Sequence, residues 1–368
     1  MRILPPDDAS IAHAAAVIRR GGLVAFPTET VYGLGADALS EAAVRGIFAA
    51  KGRPSTNPLI VHVADEAGVA ALAAEWPERA RRLAARFWPG PLTLVVPKRD
   101  VVPDAVTAGL ANVALRVPAH PVALALLRAA GRPVAAPSAN RSTEVSPTTA
   151  AHVAKSLGDR VDVILDGGAT TIGIESTVVL VVGERATVLR PGTITLAELE
   201  AALGEPVALH PAAAGVPADA AVAGALPERA AGGGPPEGQG SAGSSIDRHR
   251  NEAARTAAFL APGMMERHYA PRAELRIVTG AQREAAVAES ARLAAAGTRV
   301  GALLLAPWSA PLHEAVAMPA DAAGYARDLY AALHAMDDAA CEVAFVDAVP
   351  EGAEWAGVRD RLRRAATR

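Results

Sequence analysis

The chain has 368 residues, more than one hydrophobic core usually serves, so its length predicts two domains. Apolar residues make up 51% of the sequence and charged residues 20%, which excludes wholesale disorder and is typical of a globular α/β protein. The formal net charge is −3, and residues 1–204 carry 20 basic and 19 acidic side chains. Binding to nucleic acid through its phosphates needs a clear positive excess, so no strong direct nucleic-acid binding is expected.

The cysteine content and the N-terminal residues indicate the compartment. The chain has one cysteine, Cys341, which excludes an internal disulfide framework and a multi-cysteine metal site. The first residues lack the apolar centre of a signal peptide, and no apolar run approaches the roughly 18 residues that a membrane helix needs. We therefore expect a cytoplasmic protein with no membrane association.

The first 204 residues alternate strand-like and helix-like segments. Short apolar runs bounded by glycine or proline predict strands that begin at Leu23, Leu59, Leu92, Val113, Val161, Ser176 and Ala186. Helical periodicity predicts helices over residues 10–20, 41–51, 77–87, 121–130 and 147–157. Strands outnumber helices late in this region, so residues 1–204 are predicted to form one α/β domain with a mixed, twisted sheet.

The composition changes sharply after residue 204. Glycine, proline, serine and alanine dominate without a period, so we predict a flexible linker over residues 205–271. Beyond it, apolar runs near residues 275, 300 and 343 alternate with helical patterns over residues 281–296, 320–336 and 355–364. This alternation predicts a smaller, Rossmann-like α/β domain with a parallel sheet over residues 272–368.

Two polar segments of the first domain follow predicted strands. Residues 26–35 (FPTETVYGLG) place hydroxyls, one carboxylate and two glycines at a strand end, where α/β proteins bind ligands. A polar turn with glycines at positive φ is the alternative. Residues 135–142 (AAPSANRS) offer hydroxyls and an amide that could bind phosphate or ribose oxygens, although an ordinary turn before a helix has the same composition.

Several basic residues stand at positions where a ligand would explain them. Lys51 and Arg53 combine a compact charge with a planar fork, a suitable pair for a polyphosphate, but alone they favour a solvated helix end. Arg116 and Arg190 lie in apolar strands, where an unpaired charge costs several kcal/mol. Neither has an adjacent carboxylate in the sequence, so an anionic ligand is a candidate partner. His62, in another apolar strand, is more often a hydrogen-bonded core residue than a catalyst.

Six segments occur in one order along the chain: PTETVYGLG, KGRP, FWPGPLT, LRVP, PSAN, and IESTVV followed by LRPG. In this order they closely resemble the YrdC-like family over residues 5–204. Residues 261–271 (APGMMERHYAP) resemble the interdomain signature of its two-domain members, the threonylcarbamoyl-AMP synthases. Each motif alone is weak, but six in order are specific.

The resemblance implies a reaction in which L-threonine, bicarbonate and ATP yield threonylcarbamoyl-AMP and pyrophosphate. A separate tRNA threonylcarbamoyl transferase would then use this product to modify tRNAs that read codons beginning with A. The carbamate of threonine would attack the α-phosphorus of ATP, chemistry that depends on positioning and charge neutralisation. Mg²⁺ is expected with ATP, held mostly by phosphates and waters.

The resemblance also implies roles for individual residues. The set expected around the phosphates is Lys51, Arg53, Ser138 and Asn140. The residues expected to contact ATP are Arg53, Asn57, Asn112, Ser138, Ser146, Arg190 and Tyr269, the last from a lid segment at the end of the linker. The residues expected to hold threonine are Thr30, His62, Arg116, the backbone of Ala136, and Ser176, with Arg116 on the carboxylate. Alanine at Lys51 or Arg53 is expected to leave folding intact and to reduce adenylate formation by orders of magnitude.

Two other functions remain open at this stage. One is an RNA-binding protein of the same fold without catalysis, against which the nearly neutral first domain argues. The other is a carbamoyl-transfer role like that of hydrogenase-maturation proteins with a YrdC-like domain. Those proteins carry zinc-finger-like segments, which a single cysteine cannot build.

Overall fold

The computed structural model of the chain describes residues 1–213 and 268–367, and its strands form two sheets. The larger sheet contains β1 (Arg2–Leu4), β2 (Val24–Pro27), β3 (Tyr32–Asp37), β4 (Ile60–His62), β5 (Leu92–Pro97), β6 (Asn112–Arg116), β7 (Val134–Ala135), β8 (Val163–Leu165), β9 (Thr177–Leu180), β10 (Thr187–Arg190) and β11 (Ala208–Leu209). Their order is β1-β8-β2-β3-β7-β4-β6-β5-β9-β10-β11, with parallel and antiparallel pairs. The predicted mixed sheet is confirmed.

The second sheet contains β12 (Glu274–Val278), β13 (Val300–Leu304), β14 (Glu314–Ala317) and β15 (Val343–Asp347). Its order is β12-β15-β13-β14, and all three pairs are parallel, as predicted. The α-helices of the described part are α1 (Asp8–Arg19), α2 (Glu41–Lys51), α3 (Glu78–Phe87), α4 (Asp104–Thr107), α5 (Pro121–Ala130), α6 (Ala150–Leu157), α7 (Leu196–Leu203), α8 (Arg283–Ala295), α9 (Ala322–Asp338) and α10 (Ala356–Ala366). Within these residues no helix is both long and apolar enough to cross a membrane.

Residues 28–31, which follow β2, form a turn, but the two glycines after them lie in a strand, β3. Neither Gly33 nor Gly35 has a positive φ. A Cβ at Gly35 would lie 2.7 Å from the Phe26 ring and 2.8 Å from Val134, so glycine allows the neighbouring side chains to cross the strand. The two glycines therefore serve close packing, and the interpretation as a turn with positive φ is wrong.

The large sheet continues past residue 204, where we expected the first domain to end. Strand β11 pairs in parallel with β10, with Thr187 opposite Ala208 and Val188 opposite Leu209. Most of the predicted linker, residues 214–267, and with it residues 261–267 of the interdomain segment, lies outside the described residues.

The second domain packs directly on the first. Val31, Val145 and Ile174 of the first domain share one apolar cluster with Tyr330 and other residues of the second. Gly173, at φ +83°, lies so close to α9 that a Cβ would meet a backbone oxygen at 2.4 Å. The two domains therefore share an apolar core. At Gly173 the backbone of the first domain also touches a helix of the second where no side chain would fit.

A stacked histidine pair lies in this interface. His152 of α6 and His334 of α9 have ring centroids 3.8 Å apart, and His334 Nε2 lies 3.2 Å from the carbonyl oxygen of Ser146. Lys155 and Asp338, on the same two helices, form an ion pair. Burial, together with neighbouring His152, lowers the pKa of His334 to about 4. His334 is therefore neutral in the folded protein at neutral pH.

The free energy of unfolding is expected to fall as pH falls from about 6.5 to about 4. In this window the unfolded chain protonates His334 and the folded chain does not, so each pH unit costs about 1.4 kcal/mol. Above pH 6.5 both states are neutral and the term vanishes. Urea unfolding at pH 7.5 and 5.0 measures the drop, which should be about 2 kcal/mol smaller in His334→Asn. An identical drop in both proteins would contradict this assignment.

Candidate functional site

A cleft of the first domain collects most of the predicted site residues. It lies among the ends of β4, β6 and β10 and the turns before β3 and β9, with His268 and Tyr269 over it. Nine predicted residues line it: Thr30, Arg53, His62, Arg116, Ala136, Ser138, Ser176, Arg190 and Tyr269. These nine residues come from eight separate places in the chain and meet in one cleft.

Two guanidinium groups are buried in this cleft. Arg53 is 7% exposed and donates to the carbonyl oxygens of Asn57 and Pro58, at 3.3 and 3.0 Å. Arg190 is 2% exposed and donates to the carbonyl oxygen of Ser176 at 3.0 Å. Burial lowers the pKa of Arg53 to about 10, with Tyr269 opposing and Arg190 adding to the shift. Two neighbouring buried cations are costly alone and suit a polyanionic ligand.

Arg116 has a protein partner, Glu29, in addition to the anionic ligand that the sequence offered as a candidate. Its Nη2 lies 2.6 Å from Glu29 Oε1, its Nη1 3.0 Å from Thr30 Oγ1, and its Nε 3.2 Å from the Gly90 oxygen. The other oxygen of Glu29 accepts the Ala119 N–H at 3.0 Å. Sequence reasoning missed Glu29 because the pair spans 87 residues, although Glu29 is the one carboxylate of the FPTETVYGLG segment.

His62 is a buried, neutral imidazole with an open nitrogen. Burial and the nearby charge of Arg116 lower its pKa to about 3. Its ring meets the edge of Phe26, and Nδ1 has no hydrogen-bond partner within residues 1–213 and 268–367. Such an atom costs about 1–3 kcal/mol unless a ligand group pairs with it.

Lys51 is buried and does not line the cleft. Its Nζ donates to the carbonyl oxygen of Ser138 at 2.6 Å and to that of Asn140, so it holds the PSAN loop from behind. Burial, and then the charge of Arg53, lower its pKa well below the ordinary value. Its 2% exposure also contradicts a solvated helix end. Lys51 thus positions the loop that presents Ser138 to the cleft.

Four other predicted residues also lie outside the lining. The carbonyl oxygen of Asn57 accepts from Arg53, and the amide of Asn140 donates to the carbonyl oxygens of Arg141 and Glu144 within its own loop. Ser146 Oγ donates to Glu175 at 2.6 Å.

Asn112 lies at the far end of a strand that reaches the cleft. It begins β6, whereas Arg116 ends that strand about 13 Å further along. Its carboxamide therefore starts from the opposite end of the strand that carries the cleft residue.

Two titratable residues that were not selected from the sequence also line the cleft, Glu175 and His268. Glu175 accepts hydrogen bonds from Ser146, from Tyr330 and from Arg361. His268 is 4% exposed, and burial and the charge of Arg53 lower its pKa well below the ordinary value. Each directly precedes a selected residue, Ser176 or Tyr269, so their adjacency in the quoted motifs was the available signal.

The cleft is closed in this structure. Tyr269 is 1% exposed, its backbone has a φ of +62°, and its ring centroid lies 5.7 Å from that of Tyr330. The free space beneath it is about 40 Å³, whereas pockets for molecules of nucleotide size measure about 300–1,000 Å³. A ligand of that size therefore requires some of the residues that line the cleft to move.

The chain matches known proteins over both domains. The family model Sua5_yciO_yrdC, described as telomere recombination, matches residues 16–192, and the model described as the C-terminal domain of threonylcarbamoyl-AMP synthase matches residues 194–367. The threonylcarbamoyl-AMP synthase of Pyrococcus abyssi is 41% identical over 98% of this chain and 94% of its own length. That of Bacillus subtilis is 39% identical over 99% and 94%. A crystal structure of P. abyssi Sua5 complexed with L-threonine has a TM-score of 0.83 at 40% identity, covering 100% of this chain and 98% of that one.

Proposed function

The chain belongs to the family of threonylcarbamoyl-AMP synthases, and from this premise we propose how its cleft binds the substrates of that synthesis. The activity of the family is an adenylyl transfer that forms threonylcarbamoyl-AMP for the modification of tRNA. The two buried guanidinium groups of Arg53 and Arg190 beside the Arg116 site carry the proposal. In this proposal Arg53 and Arg190 bind a polyphosphate, and the neighbouring Arg116 part of the same cleft binds an amino acid.

L-threonine is proposed to bind at the Arg116 end. The Glu29 pair and the Gly90 oxygen hold the guanidinium in one orientation, so its remaining N–H groups can meet the carboxylate of the substrate. Nδ1 of His62 is positioned to pair with a polar group of threonine, and Thr30 lies beside Arg116. The complex of the P. abyssi relative with L-threonine supports threonine as the ligand.

ATP is proposed to place its triphosphate between Arg53 and Arg190. Both side chains are rigidly held by backbone carbonyls, so little side-chain entropy is lost when they neutralise the phosphates. Ser138 lies on the loop that Lys51 fixes, close to the same space.

Bicarbonate supplies the carbon of the proposed carbamate: the threonine nitrogen forms the C–N bond, one C–O bond of bicarbonate breaks, and that oxygen leaves as water. A carbamate oxygen then attacks the α-phosphorus, the new P–O bond forms, and the bond to the β-phosphate breaks with its electron pair leaving on pyrophosphate. The side chains orient and neutralise, and none forms a covalent bond. Closure by His268 and Tyr269 would exclude water from the carbamate and the mixed anhydride.

Mg²⁺ fits this site only as a companion of the nucleotide. No group of three potential ligands among the described His, Cys, Asp and Glu residues could hold a metal ion. Glu175, which lines the cleft, already accepts from Arg361, and Glu29, which does not line it, already accepts from Arg116. The ion, which would neutralise phosphate charge, would therefore take phosphate and water oxygens as ligands.

The two alternative functions considered from the sequence explain fewer of these observations. Neither an idle RNA-binding protein nor a hydrogenase-maturation protein explains the match of residues 194–367 to a threonylcarbamoyl-AMP synthase domain. We propose that the product passes to a separate tRNA threonylcarbamoyl transferase, and that both act in the cytoplasm, in keeping with the single cysteine.

A pyrophosphate-release assay tests the function directly. The purified full chain with Mg²⁺ and ATP should release pyrophosphate only when L-threonine and bicarbonate are both present, and chromatography should show threonylcarbamoyl-AMP in equal amount. Release that ignores threonine, or none at all, would refute the proposal.

Arg116→Lys is expected to raise the KM for L-threonine about 10–100-fold and to change the KM for ATP much less, because an ammonium cannot reproduce the planar fork. Steady-state kinetics with each substrate varied in turn measures the split. Arg132→Lys, whose partly exposed side chain pairs with Asp37, is the matched control. A rise confined to the KM for ATP would reassign Arg116 to the nucleotide.

A further inference from the structure

The second domain contributes a fully buried arginine beside the cleft. Arg361 of α10 is 0% exposed, and its Nε lies 2.7 Å from Glu175 Oε2 of the first domain. Its Nη1 donates to Asp360 at 2.7 Å and to the carbonyl oxygen of Pro191 at 2.9 Å. Arg361 does not line the cleft, so it acts on a ligand only through its neighbours.

Glu175 is the neighbour whose charge matters most. It lines the same cleft as Arg53 and Arg190, where an uncompensated carboxylate would repel a triphosphate. Burial alone raises its pKa, but Arg361 and then Arg190 outweigh burial, so the pKa lies below the ordinary value and the group is ionised. Tyr330 donates to the same oxygen at 2.8 Å. Two residues of the second domain thus compensate a charge in the first.

Arg361 also supports the residue that covers the cleft. Its guanidinium carbon lies 5.2 Å from the centre of the Tyr269 ring, a cation–π contact in a fully buried place. The same side chain therefore touches the acid at the wall of the cleft and the aromatic ring above it.

We propose that Arg361 is a positioning residue for nucleotide binding: it neutralises Glu175 and seats Tyr269, so that the cleft of the first domain accepts a triphosphate only while the second domain is docked. The inference rests on the proposed function, because it takes ATP as the ligand at Arg53 and Arg190. It assigns the second domain an electrostatic task in addition to packing.

The test is equilibrium binding of a non-hydrolysable ATP analogue and, separately, of L-threonine to the full chain by calorimetry. Arg361→Met keeps an unbranched side chain of similar length and removes the charge. The Kd for the analogue should rise about 10–100-fold, and that for threonine less than about threefold. Adding Glu175→Gln to Arg361→Met should restore the Kd for the analogue to within about threefold of the original.

Two further variants keep the result decisive. Tyr330→Phe removes one donor to Glu175 and keeps the ring, so it should fold even where Arg361→Met does not, and should weaken analogue binding about threefold to tenfold. Arg359→Met removes a charge from the same helix, α10, and should leave both affinities unchanged. Arg359 Nη1 donates to the carbonyl oxygens of Pro350 and Gly352.

A merely structural role makes different predictions. Arg361→Met and Tyr330→Phe would then weaken the binding of both ligands equally, or of neither. Adding Glu175→Gln to Arg361→Met would not selectively restore binding of the ATP analogue. Either result overturns the inference. The proposed function is judged apart from it: if the unaltered chain makes threonylcarbamoyl-AMP while the variants bind ATP normally, only the inference fails. If the unaltered chain binds ATP and makes no product, the function fails.

Discussion

Replacing Arg53 with alanine is expected to lower the rate of threonylcarbamoyl-AMP formation about 10²–10³-fold. The guanidinium is buried, is held by the Asn57 and Pro58 carbonyls, and lines the cleft together with Arg190. Its removal takes away charge that the attacked triphosphate needs, and solvent cannot substitute in a closed site. Single-turnover formation of the product, followed by chromatography at saturating threonine, measures the effect.

Arg45→Ala is the matched control for this prediction. Arg45 lies on α2, the helix that ends just before Arg53. Its exposed side chain pairs with Glu41. Its removal should change the rate by less than about twofold, because exposed pairs contribute about 0–1 kcal/mol. An Arg53→Ala protein that is folded and nearly as fast as the original would remove Arg53 from the phosphate site.

Lys51→Ala is expected to lower the free energy of unfolding by about 3 kcal/mol, with a loss of activity as a consequence. The change leaves the Ser138 and Asn140 carbonyls without their donor in a buried place and creates a cavity. The structure thus leads us to expect a loss of stability, unlike the sequence, from which alanine at Lys51 was expected to leave folding intact. Urea unfolding of the two proteins, with circular dichroism as the signal, measures the difference.

Lys155→Ala provides the comparison. Lys155 is half-exposed and pairs with Asp338 across the domain interface, so its loss should cost about 1 kcal/mol or less. Equal stability of Lys51→Ala and the original protein would show that Lys51 does not hold the PSAN loop. Its role would then lie with the ligand, as the family resemblance implied.

Much of the architecture could be predicted from local patterns. Apolar runs and helical periodicity located most strands of both sheets and most helices, because burial on one or both faces leaves a period in the sequence. Short or glycine-rich elements were missed. β3 contains two glycines, of which Gly35 is required by the approach of Phe26 and Val134 from neighbouring strands. β7 and β11 have only two residues each. Nothing local marks such segments as strands.

The sequence by itself determined which side chains require an explanation. Arg116 and Arg190 stand in apolar strands, and a charge there demands a partner whatever the fold. Only the tertiary structure decided which residue pairs with each buried charge. Glu29 meets Arg116 across 87 residues and Glu175 meets Arg361 across 186, distances along the chain at which no periodicity carries information. Burial cost is a property of one residue and its strand, whereas pairing is a property of how separate strands and domains are brought together in space.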